Sequence, residues 1–343
     1  MSKQFNRGSR FKMFLYINFP SWIHPQIFPG VKFLGLLRWY GLMYVFAFGT
    51  AYLLLKKIAA EGMMDGKNKL GKNYTITEDD LFSFLGTGIL FLLLGARIGS
   101  TLIYDRTGLY WHRPWLIFWP FDLNGNYTGF QGMSYHGGFI GGLLGMIIWC
   151  IRHKQPIARW TDAMVCCIPL GYTFGRIGNF LNGELFGRVT TAPWGIVFPD
   201  AERFSSSLGW VQEFAIKIGM NIDGLRLVNL PRHPSQLYEA LFEGIILWVI
   251  IWLCRKHKKF EGMLSCIYTG GYGIFRFFIE YFREPDEEIG FVLGDTSANI
   301  YENASLTNFS TGQILCFLMI LGSIICATVM IIKQKKSAVS ADN

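Results

Sequence analysis

The stretch GRIGNFLNGELFGRV, Gly175 to Val189, sets Arg176, Asn179, Asn182, Glu184 and Arg188 at the end of an apolar run that begins at Ala163. Charge in hydrocarbon is tolerated only where it is paired or faces a wet cavity. A second run spaces Tyr272, Arg276 and Glu280 at i, i+4 and i+8, with Arg283 three residues further on. Those residues share one helical face and can pair in series. Guanidinium groups grip phosphate bidentately, and a histidine or carboxylate beside them can move a proton. The chemistry on offer is therefore recognition of an anion at low dielectric, with proton transfer available next to it.

Composition says what must position these groups. The 343 residues are 51% hydrophobic and only 16% charged, which favours the membrane class. Apolar runs that can cross about 30 Å of hydrocarbon occur at 34–55, 81–104, 135–151, 162–183, 235–254, 262–282 and 312–332. The expected fold is an all-α polytopic membrane protein with seven transmembrane helices. Lys and Arg cluster after spans one, three, five and seven, whereas 284–311 has neither. The positive-inside bias puts the N-terminus outside and the C-terminus in the cytoplasm, against the basic tail Lys3, Arg7, Arg10 and Lys12. We divide the chain into an N-terminal interfacial segment 1–30, a membrane domain 31–335 and a cytoplasmic tail 336–343. Within the membrane domain, 185–234 is expected as a small outer cap and 284–311 as an outer loop. The N-terminus has no small-residue cleavage site, so it is read as retained along the membrane surface.

Depth follows from about 1.5 Å per helical residue. Counted from Asp162, read as the helix cap of span four, Arg176 lies fourteen residues in. Arg276 lies fourteen residues beyond Gly262, and Arg97 sixteen beyond Leu81. Three arginines thus fall in the outer third of the membrane, where inward-running spans add Tyr40, His136, Glu239 and Glu243. Taken singly, each has a bland reading. An arginine snorkels or bridges, Tyr40 beside Trp39 belongs to an aromatic belt, and His136 hydrogen-bonds at the interface. Their common depth points instead to an anion site. The small residues Gly137, Gly141 and Gly145 recur every four positions, a pattern for close helix packing.

The net charge of +8 is spent at membrane edges, so no nucleic acid partner is expected. The seven cysteines form no CxxC pair, and neither a metal site nor a cofactor is implied. A transporter or binding protein for an anionic solute or lipid is the alternative. It calls for repeated halves or helices broken at the midplane, whereas this polar layer is one-sided.

The segment GRIGNFLNGELFGR resembles the signature of the prolipoprotein diacylglyceryl transferases. LRWYGLMY (37–44), LGARIG (94–99), GMSYHGG (132–138), RHPSQLYEALFEG (232–244) and GYGIFRFFIEYFREP (271–285) are similar to that family in order and spacing. The resemblance covers roughly 30–335. It implies a seven-helix enzyme of the bacterial cytoplasmic (inner) membrane, with its active site toward the outer leaflet. Its partners would be the lipid bilayer, phosphatidylglycerol and prolipoprotein signal peptides bearing a lipobox cysteine. The diacylglyceryl group would pass to the cysteine thiol, releasing glycerol phosphate. Residue by residue, the functional positions fall on Tyr40, His136, Arg176, Asn179, Glu184, Gly187, Tyr272, Arg276 and Glu280. Arg176 and Arg276 would bind phosphatidylglycerol, with Tyr272, Gly187 and the depth-matched Arg97 as further substrate contacts. His136, Glu184 and Glu280 are alternatives for the group that takes the thiol proton. The outer loop 284–311 and the basic N-terminal extension depart from the family pattern.

Overall fold

Pro169 breaks what apolarity reads as one span. In the computed structural model, which describes residues 16–28, 30, 38–105, 107–121, 125, 132–284, 290–302 and 305–341, two helices replace the expected helix at 162–183. The helices named below are, in chain order, α1 Trp39–Ala60, α2 Glu78–Gly99, α3 Tyr135–Arg152, α4 Ile157–Val165, α5 Ile168–Leu181, α6 Gly209–Ile218, α7 Ser235–His257, α8 Met263–Ile279 and α9 Thr311–Ala341. Proline has no N–H to give the Val165 carbonyl, four residues back, so α4 ends there. Cys166 and Cys167 turn the chain with short bonds to the carbonyls of Ala163 and Met164.

Among the described residues, four helices are long and apolar enough to cross a membrane: 39–60, 78–103, 235–257 and 311–334. The expected spans at 135–151 and 262–282 are helices of 18 and 17 residues. α1 starts five residues later than the run 34–55 suggests, so Tyr40 is its second residue rather than a turn or two inside.

The chain divides into two units, 1–49, 168–255 and 266–343 in the first, 50–167 and 256–265 in the second. In the second unit, α2 opens on a reciprocal capping box between Thr77 and Asp80. The expected glycine stripe packs α3 on α2. A Cβ added to Gly95 would strike the Gly137 carbonyl and come within 2.8 Å of Gly141 Cα, and one on Gly145 would sit 2.7 Å from Phe91 Cβ. Only glycine permits that approach. Phe84, Trp149 and Trp160 close the apolar core, with Trp160 centred 4.4 Å from each of the other two rings. Asp162 does not cap its own helix. It lies within α4, and its carboxylate accepts from Gly262 N at 2.8 Å and Ser265 N at 3.0 Å, capping α8 instead.

In the first unit, α5 lies against a π-helical stretch of α7, Ala240–Ile246. A Cβ on Gly244 would collide with Thr173 Oγ1, so glycine sets that spacing. α8 meets α9 closely, since a Cβ on Gly273 would sit 2.9 Å from Ile320 Cγ1. Residues 187–230 carry a core of their own, in which Val189, Phe204, Val211, Phe214, Ile218, Val228 and Leu230 are buried, with Tyr16 and Tyr301 packed on it. Ile17 and Asn18 pair in parallel with Ile196 and Val197, so the chain just before residue 20 is tied to the 187–230 segment.

Candidate active site

Glu239 gathers the arginines. It is fully buried in α7, and its Oε2 lies 2.8 Å from Arg176 Nε of α5 and 3.1 Å from Arg276 Nη1 of α8. Its Oε1 takes Arg283 Nη1 at 2.8 Å. One carboxylate thus binds three guanidinium groups brought from two distant stretches of chain. The pairs form in series as the spacing predicts, with Glu280 and Arg283 in the turn just beyond α8: Arg276 Nε meets Glu280 Oε2 at 3.1 Å, and Arg283 Nε approaches the same oxygen at 3.6 Å. Ser310 Oγ donates to the other Glu280 oxygen at 3.1 Å.

A second chain of hydrogen bonds leaves the cluster through Arg176. Its Nη1 donates to Asn179 Oδ1 at 3.2 Å, and Asn179 Nδ2 donates to Tyr40 Oη at 2.7 Å and Glu184 Oε1 at 2.9 Å. Asn179 is buried on α5, where i and i+3 place it beside Arg176. Gly183 ends the helix with φ +68°, and Leu185 also adopts a left-handed backbone at φ +55°. The start of α7 holds that turn, with Gln236 Nε2 donating to the Glu184 carbonyl at 2.6 Å and Ser235 Oγ to the Leu185 carbonyl at 3.2 Å. Glu184 is therefore aimed by its backbone as well as by Asn179.

Tyr172 was not singled out by sequence, although it lies one helical turn before Arg176. Its ring underlies the Arg176 guanidinium at 4.7 Å, and its hydroxyl lies 3.0 Å from Glu239 Oε2 and 2.5 Å from Glu243 Oε2. The Tyr272 ring stands edge-on to it at 6.1 Å. These residues occupy the first unit, as do Arg176, Arg276, Tyr40, Asn179, Glu184, Tyr272 and Glu280 from the expected set.

Arg97 and His136 belong to the second unit. Buried Arg97 donates from Nε to the Ile117 carbonyl at 2.5 Å and faces the Tyr110 ring at 5.8 Å. Exposed His136 is the second residue of α3, whose Ser134 side chain caps the helix, and it meets the Tyr135 ring edge-on. Gly187 serves the backbone. Its N–H donates to the His233 carbonyl at 2.8 Å, and a Cβ there would strike the Phe282 carbonyl.

Two arginines outside the expected set fix this junction. Arg188 donates from Nε to the Arg283 carbonyl at 2.6 Å, and burial draws its pKa down to about 10, so it stays cationic at neutral pH. Fully buried Arg232 pairs with Glu284 and lies over the rings of Phe186 and Phe204, at 4.9 and 5.3 Å. Burial, aided by Arg188, lowers His233 from 6.5 to about 4, so folding binds it neutral. The unfolded histidine takes up a proton first, so this contribution to stability is full above about pH 6.5 and is lost as pH falls towards 4. Melting temperature in detergent should therefore drop across that window, and His233→Gln should flatten the slope. An unchanged slope would mean that other groups set the acid limit.

The site thus offers guanidinium groups held by buried carboxylates, with a polar chain leading to Tyr40 and Glu184. A family model described as prolipoprotein diacylglyceryl transferase matches residues 31–329. Curated relatives named phosphatidylglycerol–prolipoprotein diacylglyceryl transferase include one from Treponema denticola, 52% identical over 94% of this chain and 97% of its own length. Those of Treponema pallidum and Borrelia garinii are 49% and 39% identical, over 90% and 92% of this chain and 94% and 93% of their own. With the family model covering most of its length, this chain belongs to the prolipoprotein diacylglyceryl transferase family.

Proposed function

We propose that the protein transfers the diacylglyceryl group of phosphatidylglycerol to the lipobox cysteine of prolipoproteins. The observation that carries this is the convergence of Arg176 and Arg276 on Glu239, with Asn179, Tyr40 and Glu184 hydrogen-bonded to the Arg176 side. The cysteine sulfur attacks the diacylglyceryl carbon that is bonded to the phosphate oxygen. A C–S bond forms, the C–O bond breaks with its electron pair going to oxygen, and glycerol phosphate leaves. The thiol proton must pass to a base, for which His136, Glu184 and Glu280 are the candidates. Arg176 and Arg276 meet the growing charge on the departing phosphate, a task that planar guanidinium groups perform at low dielectric. The internal cysteines have no part in this, because the nucleophile is the substrate's own. Purified protein incubated with phosphatidylglycerol and a lipobox peptide should increase the peptide mass by one diacylglyceryl group, with glycerol phosphate in equal amount. A peptide of unchanged mass would refute the assignment.

The reading carries a topology. Seven membrane passes, with the N-terminus outside and the C-terminus cytoplasmic, place the site toward the outer leaflet of the bacterial inner membrane and 185–234 above it as a cap. The loop charges support it, as does the requirement that a lipobox cysteine meet a lipid headgroup at the membrane surface. In intact cells, Ser305→Cys should react with an impermeant thiol reagent, and Ser337→Cys only after the membrane is opened. The reverse pattern would place the site on the cytoplasmic side.

A further inference from the structure

Hydrogen counting at Tyr172 exposes a requirement that the arginine pairs do not. A tyrosine hydroxyl carries one proton to donate and lone pairs that accept. Yet Tyr172 Oη lies within hydrogen-bond distance of two carboxyl groups, Glu239 Oε2 at 3.0 Å and Glu243 Oε2 at 2.5 Å. It can donate to one of them. The other contact needs a proton that belongs to the carboxyl group.

The surroundings decide which one. Glu239 has guanidinium nitrogens within 3.1 Å on both oxygens, and such company favours the anion. Glu243 has no comparable partner. The nearest guanidinium nitrogen, Arg276 Nη1, stands 3.8 Å from its Oε1, and that oxygen is buried without a hydrogen bond. A buried carboxylate with one bare oxygen is costly, whereas a carboxylic acid loses little by leaving its carbonyl unmet. The groups facing Glu243 are Tyr172 and Arg176 from α5, Arg276 from α8, Cys316 from α9, and Glu239 one turn back on its own helix. Arg176 is already held by Glu239 at 2.8 Å, and Arg276 by Glu239 and Glu280 at 3.1 Å each.

We propose that Glu243 is kept as a neutral carboxylic acid whose proton is donated to Tyr172, while Tyr172 donates to ionised Glu239. The consequence is a charge balance. Arg176, Arg276 and Arg283 face the two anions Glu239 and Glu280, which leaves these five side chains with one net positive charge. That charge matches a phosphodiester monoanion, the headgroup that the function proposed above requires, and this part of the inference rests on that reading. Were Glu243 ionised, this cluster would be neutral and would attract the headgroup less. Glu243 and Tyr172 are positioning residues, acting on the substrate through the arginines.

Infrared difference spectra of purified protein in ester-free detergent test the protonation directly. At neutral pH, wild type minus Glu243→Gln should contain the carbonyl band of a protonated carboxylic acid, and wild type minus Glu239→Gln should lack it. In Tyr172→Phe the band should move to higher frequency, because its proton loses the acceptor. This variant also serves if Glu243→Gln does not fold. No acid band assignable to Glu243, or a band that ignores Tyr172→Phe, overturns the proposal. Turnover supplies the second arm. Raising the pH until Glu243 ionises should raise the KM for phosphatidylglycerol on the order of tenfold with less change in kcat, the worth of one lost charge interaction. Glu243→Gln should abolish that rise, and a rise that persists in this variant would overturn the charge-balance claim. The spectra need no turnover, so a protein that keeps the band but transfers no lipid would refute the functional reading and leave the protonation standing.

Discussion

Arg176→Ala and Arg276→Ala should each lower diacylglyceryl transfer by about 10²–10³-fold, the scale seen when a preorganised donor to developing charge is removed. The two side chains are buried to a similar degree and share Glu239 Oε2, at 2.8 and 3.1 Å. That carboxylate fixes both planes before substrate arrives, so little reorganisation remains for the reaction itself. Lysine should restore little, because a point charge cannot both hold Glu239 and present a second parallel donor. Arg176 has a further duty: its Nη1 orients Asn179, which in turn holds Tyr40 and Glu184. Its alanine variant should therefore also disturb the thiol side, and Asn179→Ala should reproduce part of the loss. The assay is initial rate on a lipobox peptide, with membrane insertion and circular dichroism as controls. Near-normal rates in both folded alanine variants would sink the phosphate clamp.

What the sequence made legible was local. Tyr272, Arg276, Glu280 and Arg283 announce their pairing by spacing alone, and the ion pairs at i, i+4 and i, i+3 follow from helix geometry. Gly137, Gly141 and Gly145 announce a close helix contact in the same way, though not that Gly95 is the partner. What escaped was long-range. Asp162 looks like a cap for the run that follows it, yet the peptide N–H groups it satisfies lie about a hundred residues away, at Gly262 and Ser265. Pro169 sits inside an apolar run, and apolarity alone does not register the break it makes. Depth places the arginines and carboxylates in one layer, but it does not say which arginine meets which carboxylate. The layer's central counter-charge, Glu239, comes from another helix, and helical periodicity carries no record of which helix that is. Tyr172 was hidden for a different reason, because a tyrosine in an apolar run reads as core until its hydroxyl finds two carboxyl groups.

Removing Glu239 should damage the protein more broadly than removing any one arginine. Glu239→Ala leaves Arg176, Arg276 and Arg283 buried side by side without the anion that separates their charges. Breaking a buried ion pair from one side costs about 3–5 kcal/mol, because the stranded charge cannot be rehydrated. Glu280 still holds Arg276 and Arg283, at 3.1 and 3.6 Å, whereas Arg176 retains no carboxylate ion pair among the described residues. Arg176 should thus become the most displaced of the three. Glu239→Gln keeps the volume but not the charge, so it should fold better than the alanine variant and still transfer poorly. A double-mutant cycle separates stability from chemistry. Adding Arg283→Ala to Glu239→Ala removes one stranded cation and should recover part of the lost melting temperature, giving a non-additive cycle. It should recover no activity, because Arg176 and Arg276 would remain unaligned. Thermal unfolding in detergent and initial rates on the same preparations measure both. If Glu239→Ala unfolds at the wild-type temperature and transfers at the wild-type rate, Glu239 is not what organises these arginines.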